Sequence, residues 1–171
     1  DSALVTTAAW NPLHGHPTSV TGPSGATVRA EYDRLGRPAA EIQPGDTAER
    51  PTVRYRYFLD GSTARPAIVT ERRRRSGEDD VDVALDQLDG LGRLHAQVTA
   101  DDAGSGAVLA RGIHYDAAGQ PAEEVAGELL PAAALTPGAR VDLSPHWPRV
   151  QTWRDALGRV TATRDADGYE T

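Results

Sequence analysis

One short phrase is written several times along this chain. Tyr32–Ile42 reads YDRLGRPAAEI, Leu88–Val98 reads LDGLGRLHAQV, Tyr115–Val125 reads YDAAGQPAEEV and Trp153–Thr163 reads WRDALGRVTAT. Trp10–Val20, WNPLHGHPTSV, is a looser copy in which Asn11 replaces the aspartate and one extra residue precedes Gly15. In the copy at Trp153 an extra residue, Arg154, separates the aromatic from Asp155. Each copy reads as the end of a strand, a tight turn and the start of the next strand. The Asp or Asn side chain accepts a hydrogen bond from a backbone N–H two residues on. The glycine supplies the positive φ that returns the chain into an antiparallel partner. A single hairpin cannot bury its own apolar face, so repeated hairpins must stack on one another.

Between the copies the chain keeps the same habit. Gly22-Pro23-Ser24-Gly25 and Asp165-Ala166-Asp167-Gly168 form a second kind of turn, so one repeat is two strands and two hairpin turns. Strands are expected over Leu4–Trp10, Pro17–Thr21 and Thr27–Tyr32. Pro51–Leu59 alternates, with Val53, Tyr55 and Tyr57 on one face and Arg54, Arg56 and Phe58 on the other, as a half-buried strand requires. Ala67–Arg75 and Glu78–Leu88 read as a hairpin across Ser76-Gly77, with Arg75 opposite Glu78, Arg74 opposite Asp79 and Arg73 opposite Asp80. Asp101–Gly106 reads as a flexible turn and Ala107–Tyr115 as the returning strand. Pro131, Pro137, Pro145 and Pro148 then argue against a long helix or a central strand. This segment is expected to cross the sheet surface, anchored by Leu129, Leu130 and Trp147, before Arg149–Trp153 restarts the sheet.

Composition sets outer limits. Hydrophobic residues make up 39% and charged residues 25% of 171 residues, which fits one folded domain. No apolar run approaches the roughly 18 residues of a membrane-spanning helix. Aromatics are only 5%, so the core must rest on Val, Leu, Ile and Ala in a thin sheet. There is no Cys, which excludes disulfides and thiol chemistry. There is also no Met and no recognisable secretion signal at DSALVTTAAW, so the chain is expected to be a fragment of a longer protein. All 18 basic residues are Arg, a pattern that fits a GC-rich bacterial genome, and the net charge of −7 disfavours general nucleic-acid affinity.

The YDxxGR phrase resembles the YD repeat of the bacterial Rhs proteins. The run from YDRLGRPAAEIQPGD through TVRYRYFLD and TERRRRSGEDD to LDGLGR is similar to the shell region of the B component of insecticidal toxin complexes and of related Salmonella-type virulence proteins. The resemblance implies an all-β fold: antiparallel hairpin repeats forming a strip of a spiralling β-sheet shell. The repeat copies and the Pro-rich span divide residues 1–171 into two repeats at 1–48, a strand, charged hairpin and repeat at 49–100, a repeat at 101–127, a Pro-rich excursion at 128–149 and a last repeat at 150–171. The resemblance also implies a secreted, structural part of a larger toxin that encloses a toxic effector until delivery. The partners it implies are other shell segments, toxin-complex subunits and the enclosed effector polypeptide, with no nucleic acid and no membrane span.

The residues themselves support no enzyme. Turn capping and strand-end pairing account for the recurring Asp and Arg. His14 and His16 form an H-x-H pair without a third ligand at suitable spacing. Asp165–Gly168 resembles a piece of a calcium loop but lacks the third aspartate and the closing Glu. ERRRR at Glu71–Arg75 precedes its own acidic complement, which favours a neutralised hairpin over a polyanion patch. No G-x-S-x-G, P-loop or H-E-x-x-H is present, nor is the self-cleaving aspartyl motif of related Rhs proteins. The expected catalytic, cofactor and metal residues are therefore none. The rival reading is a secreted module binding a glycan or a cell-surface partner, for which Trp10, Trp147 and Trp153 are the candidate aromatics.

Overall fold

The computed structural model describes residues 4–100 and 106–171. The turn expected at Asp101–Gly106 lies, but for its last residue, outside them. The described chain is a β meander: β1 (Thr7–Trp10), β2 (Pro17–Thr21), β3 (Thr27–Tyr32), β4 (Pro38–Ile42), β5 (Val53–Phe58), β6 (Ala67–Arg73), β7 (Val81–Leu88), β8 (Leu94–Ala100), β9 (Ala107–Tyr115), β10 (Pro121–Val125), β11 (Glu128–Leu130), β12 (Arg149–Arg154) and β13 (Val160–Arg164). Strands pair in chain order except that β12 follows β10, while β11 pairs with β9. The one helical element among the described residues is a single 3-10 turn, Ala132–Leu135. None is long and apolar enough to cross a membrane. The all-β, antiparallel architecture expected from the repeats is what forms.

Two compact units divide the chain: Asp1–Arg56 with Thr70–Asp82, and Tyr57–Val69 with Val83–Thr171. In the first, Ala40, Ile42 and Val53 are buried. Tyr55 and Val53 share a strand face, and the Tyr55 hydroxyl donates to Glu41 at 2.7 Å. Asp46, itself buried, ties the segment after β4 to the charged hairpin. Its carboxylate accepts from the hydroxyls of Thr52 and Ser76, each at 2.6 Å, and from the Gly77 N–H at 3.3 Å.

The charged hairpin departs from the expected register. Its strands stop at Arg73 and resume at Val81, leaving residues 74–80 as a loop. Arg75 does meet Glu78, at 3.6 Å. Arg74, however, pairs with Asp82 at 2.6 Å and Asp80 at 3.4 Å rather than Asp79. Arg50 takes Asp79, and Arg73 reaches the Pro51 carbonyl at 3.4 Å. A turn symmetric about Ser76-Gly77 fails because Asp46 pulls on both residues from outside the hairpin.

The second unit holds the larger core. Ala67, Val69, Leu85, Ala96, Val98, Ala107, Leu109 and Val125 line one sheet face. Ala134, Val141 and Leu143 of the Pro-rich excursion pack onto them, with Leu130, Leu135 and Trp147 partly buried beside them. Leu130 and Trp147 thus anchor the excursion as expected. Leu129 does not: it sits in β11 opposite Val108 and is 77% exposed. Alternation along β11 sends its two leucines to opposite faces.

Candidate functional site: stacked turns and a strapped sheet face

Four copies of the repeat build the same backbone turn, and the copy at Asn11 builds a version one residue longer. In the copy at Asp33, Oδ1 accepts from the backbone N–H of Leu35 at 2.8 Å and of Arg37 at 3.0 Å, while Oδ2 takes the Arg37 guanidinium at 2.6–2.7 Å. Asp89 with Arg93, and Asp155 with Arg159, repeat these bonds. The glycines Gly36, Gly92 and Gly158 have φ of +79°, +78° and +79°, a left-handed conformation that costs other residues about 1–2 kcal/mol. Desolvation alone would raise Asp33, but the side-chain and backbone hydrogen bonds from Arg37 outweigh it and hold the carboxyl below its usual range. For Asp155 the Arg159 side chain is the largest influence, in the same direction. The Asp165 turn proves to be another version, its carboxylate accepting from the N–H groups of Asp167 and Tyr169.

A β-bulge follows each turn at the same place. The extra residue is Thr18, Ala39, His95, Ala122 or Thr161, in each case just after the residue that pairs across the turn. This register corrects the reading of Arg154 as an insertion. Arg154 pairs with Val160 as Tyr32 pairs with Pro38, so Arg154 stands at the tyrosine position and Trp153 one residue before it.

Consecutive turns are stitched together at that position. The Tyr32 hydroxyl donates to the Pro17 carbonyl, and the Tyr115 hydroxyl to the Leu94 carbonyl, both at 2.9 Å. Arg154 donates to the Pro121 carbonyl, the equivalent acceptor. Over each tyrosine lies a side chain from the preceding turn: His16 stacks on Tyr32 with centroids 5.1 Å apart, and the Arg93 guanidinium lies 4.0 Å from the Tyr115 centroid. His16 is therefore a stacking residue, and His14 lies against Gly36. Among the described residues no group of three or more His, Cys, Asp or Glu is arranged to hold a metal ion.

The second arrangement is the strap over the larger core. Gln87 is fully buried in a face otherwise apolar. Its amide nitrogen donates to the Ala139 carbonyl at 2.6 Å, and its amide oxygen accepts from the Val141 N–H at 3.1 Å. One side chain thus satisfies two backbone groups of the excursion, as a neighbouring strand would. The bulge at His95 lets that residue and Ala96 both serve the covered face: Ala96 joins the core while the His95 Nε2–H donates to the Val141 carbonyl at 3.1 Å. Burial, and then the nearby Arg65, pushes His95 below the usual imidazole range. Arg65 reaches Asp142 at 3.5 Å, and Arg149 bonds the Ser144 carbonyl. Leu143 lies flat on Gly112, where a Cβ would come within 2.5 Å of its methyl carbon.

Sequence reasoning missed Gln87, His95 and Gly112, since each is an ordinary residue whose role depends on a segment distant along the chain. The tryptophans separate: Trp147 packs against the core, Arg164 lies 5.2 Å over Trp153, and Trp10 on β1 is 62% exposed.

Known proteins fit this geometry. A family model described as RHS Repeat matches residues 12–48, which begin just after Asn11 and contain the Asp33 turn whole. No curated protein matches the chain in sequence. Among solved structures, the crystal structure of TcdB2-TccC3 aligns with a TM-score of 0.68 at 14% identity, covering 96% of this chain and 10% of that one. The crystal structure of TcdB2-TccC3-Cdc42 aligns with a TM-score of 0.71 at 11% identity, covering 96% of this chain and 13% of that one. The chain therefore spans about a tenth of the length of the chains whose fold it shares. Residues 12–48 thus carry an RHS repeat, and the chain as a whole shares the fold of these two structures.

Proposed function

We propose that this chain is a wall segment of a toxin-complex shell, and that the shell encloses an effector polypeptide until delivery. The observation that carries the reading is the stitched meander: the turns at Asp33, Asp116 and Asp155 each bind the copy before them, so the sheet extends by repetition as a wall must. The fold it shares with TcdB2-TccC3 supports the same reading. Function on this account is exclusion, and the chain performs no catalytic step. Its partners are further segments of the same shell, other toxin-complex subunits and the enclosed polypeptide, in a secreted assembly.

Limited proteolysis of the full-length parent protein tests it. An enclosed polypeptide should survive protease while the wall is folded and be digested once mild denaturant opens it. Digestion at one rate in both conditions would overturn the proposal.

A further inference from the structure

The repeat pattern shows a slot in which both facing residues depart from the usual contents. Where a tyrosine stands before the turn aspartate, a side chain from the preceding turn covers the next glycine. Atoms of His14 come within 3.0 Å of a Cβ built on Gly36, and Arg93 within 3.1 Å of one built on Gly119. Gly158 has nothing within 4 Å. Gly92, in the copy with Leu88 at the tyrosine position, is uncovered too, so coverage follows the ring.

Between the turns Asp116–Gly119 and Asp155–Gly158 two residues depart from the pattern together. Gln120 replaces the turn arginine, and Arg154 replaces the tyrosine. A groove of about 500 Å³ opens there, lined by Asp116, Gln120, Arg154, Leu157 and Gly158 over small alanines. That size lies within the ~300–1,000 Å³ of ordinary ligand clefts. Asp116 accepts the Gln120 N–H on Oδ1 at 2.8 Å, and among the described residues its Oδ2 takes no arginine of the kind that fills Asp33, Asp89 and Asp155. Arg154 spends one nitrogen on the Pro121 carbonyl, and among the described residues no aromatic ring pairs with it. The cation has moved across the slot, and the aromatic has gone.

We propose that this groove receives a tyrosine side chain from a second polypeptide, its ring against the Arg154 guanidinium and its hydroxyl donating to Asp116 Oδ2. Such a guest restores the cation–aromatic pair seen at Arg93 and Tyr115 with the two roles exchanged. A guest arginine fits less well, because it would bring a second cation beside Arg154. The proposal stands apart from the shell reading, since it rests on this groove alone.

The test is titration of the chain with N-acetyltyrosinamide, followed through the backbone amide signals of Gly158 and Gln120. Parallel titrations use N-acetylphenylalaninamide and N-acetylargininamide. Saturable ring-current shifts are expected with the tyrosine probe, weaker by about two- to fivefold in Arg154→Gln. Asp116→Asn should erase the preference for tyrosine over phenylalanine. Gln120→Tyr, which fills the slot from within, should abolish binding while leaving the sheet folded. No saturable shift, equal response to the arginine probe, or undiminished binding in Arg154→Gln or Gln120→Tyr would each overturn the assignment.

Discussion

The hydroxyl of Tyr115 donates to the carbonyl of Leu94 across 2.9 Å, joining the fourth turn to the third. Tyr32 makes the same bond to Pro17. Each bond satisfies a backbone acceptor that lies just before a bulge, where the ladder is locally broken.

Tyr115→Phe and Tyr32→Phe should each destabilise the chain by about 0.5–1.5 kcal/mol, the net worth of one hydrogen bond. At this chain length that lowers Tm by roughly 2–4 °C per kcal/mol. Tyr169→Phe, at an exposed ring, should leave Tm unchanged. Calorimetry of the three variants checks the contrast, and equal losses in all three would count against the stitch.

Gly36→Val and Gly92→Val should each lower the urea midpoint, because a branched side chain at φ near +80° costs about 1–2 kcal/mol. Gly36→Val should be the worse, since its Cβ also meets the His14 ring at 3.0 Å whereas Gly92 faces open space.

Removing the Gln87 amide tests the strap. Gln87→Leu strands the Ala139 carbonyl and the Val141 N–H under a buried face, at about 1–3 kcal/mol for each unpaired group. Gly112→Val attacks the same strap by overpacking against Leu143, at about 1–3 kcal/mol. Hydrogen exchange at Val141 should accelerate in both. Unchanged exchange would show that the strap is held by its ends alone.

Acid should loosen the molecule in two stages. His95 is depressed below the ordinary imidazole value of 6.5, so the unfolded chain takes up that proton first, and stability falls as pH drops below about 6.5. The carboxyls of Asp46 and Asp155 are also depressed, Asp46 chiefly by the Ser76 and Thr52 hydroxyls and Asp155 by Arg159. Their stabilisation is complete above the ordinary value of 3.8 and is lost as pH falls through their lower folded values. Urea midpoints measured from pH 8 to pH 3 should therefore stay level above about pH 7 and then decline twice. His95→Gln should remove the first decline and spare the second.

What was legible in the sequence is local. The turn at Asp33–Gly36 is encoded by an aspartate that caps it and a glycine that reverses it, both within four residues, and the structure realises both. The strand at Val53–Phe58, a property of one short stretch, also forms, with Val53 buried and Arg56 exposed, but Phe58 packs against the larger core rather than sharing the exposure of Arg56. The charged hairpin does not take its expected register, because that register depends on Asp46, 30 residues before Ser76. The same holds for Gln87, whose partners at Ala139 and Val141 lie more than 50 residues away. Nothing near Gln87 marks it as different from an exposed strand residue. Arg154 follows the same logic: aligned on its aromatic the phrase makes Arg154 an insertion, whereas the fold aligns the copies on the residue that pairs across the turn.

The joint replacement at Gln120 and Arg154 also limits how such a chain can be rearranged. Neighbouring turns carry matched contents, His16 with Tyr32 and Arg93 with Tyr115, and where Gln120 replaces the turn arginine, Arg154 replaces the tyrosine. A recombination joining the third turn directly to the fifth would keep every strand in register yet set Arg93 beside Arg154, two cations where one cation and one ring belong. Deleting a repeat is therefore not neutral merely because its length is right; copies so alike in spelling can be exchanged only together with the neighbour they were fitted to.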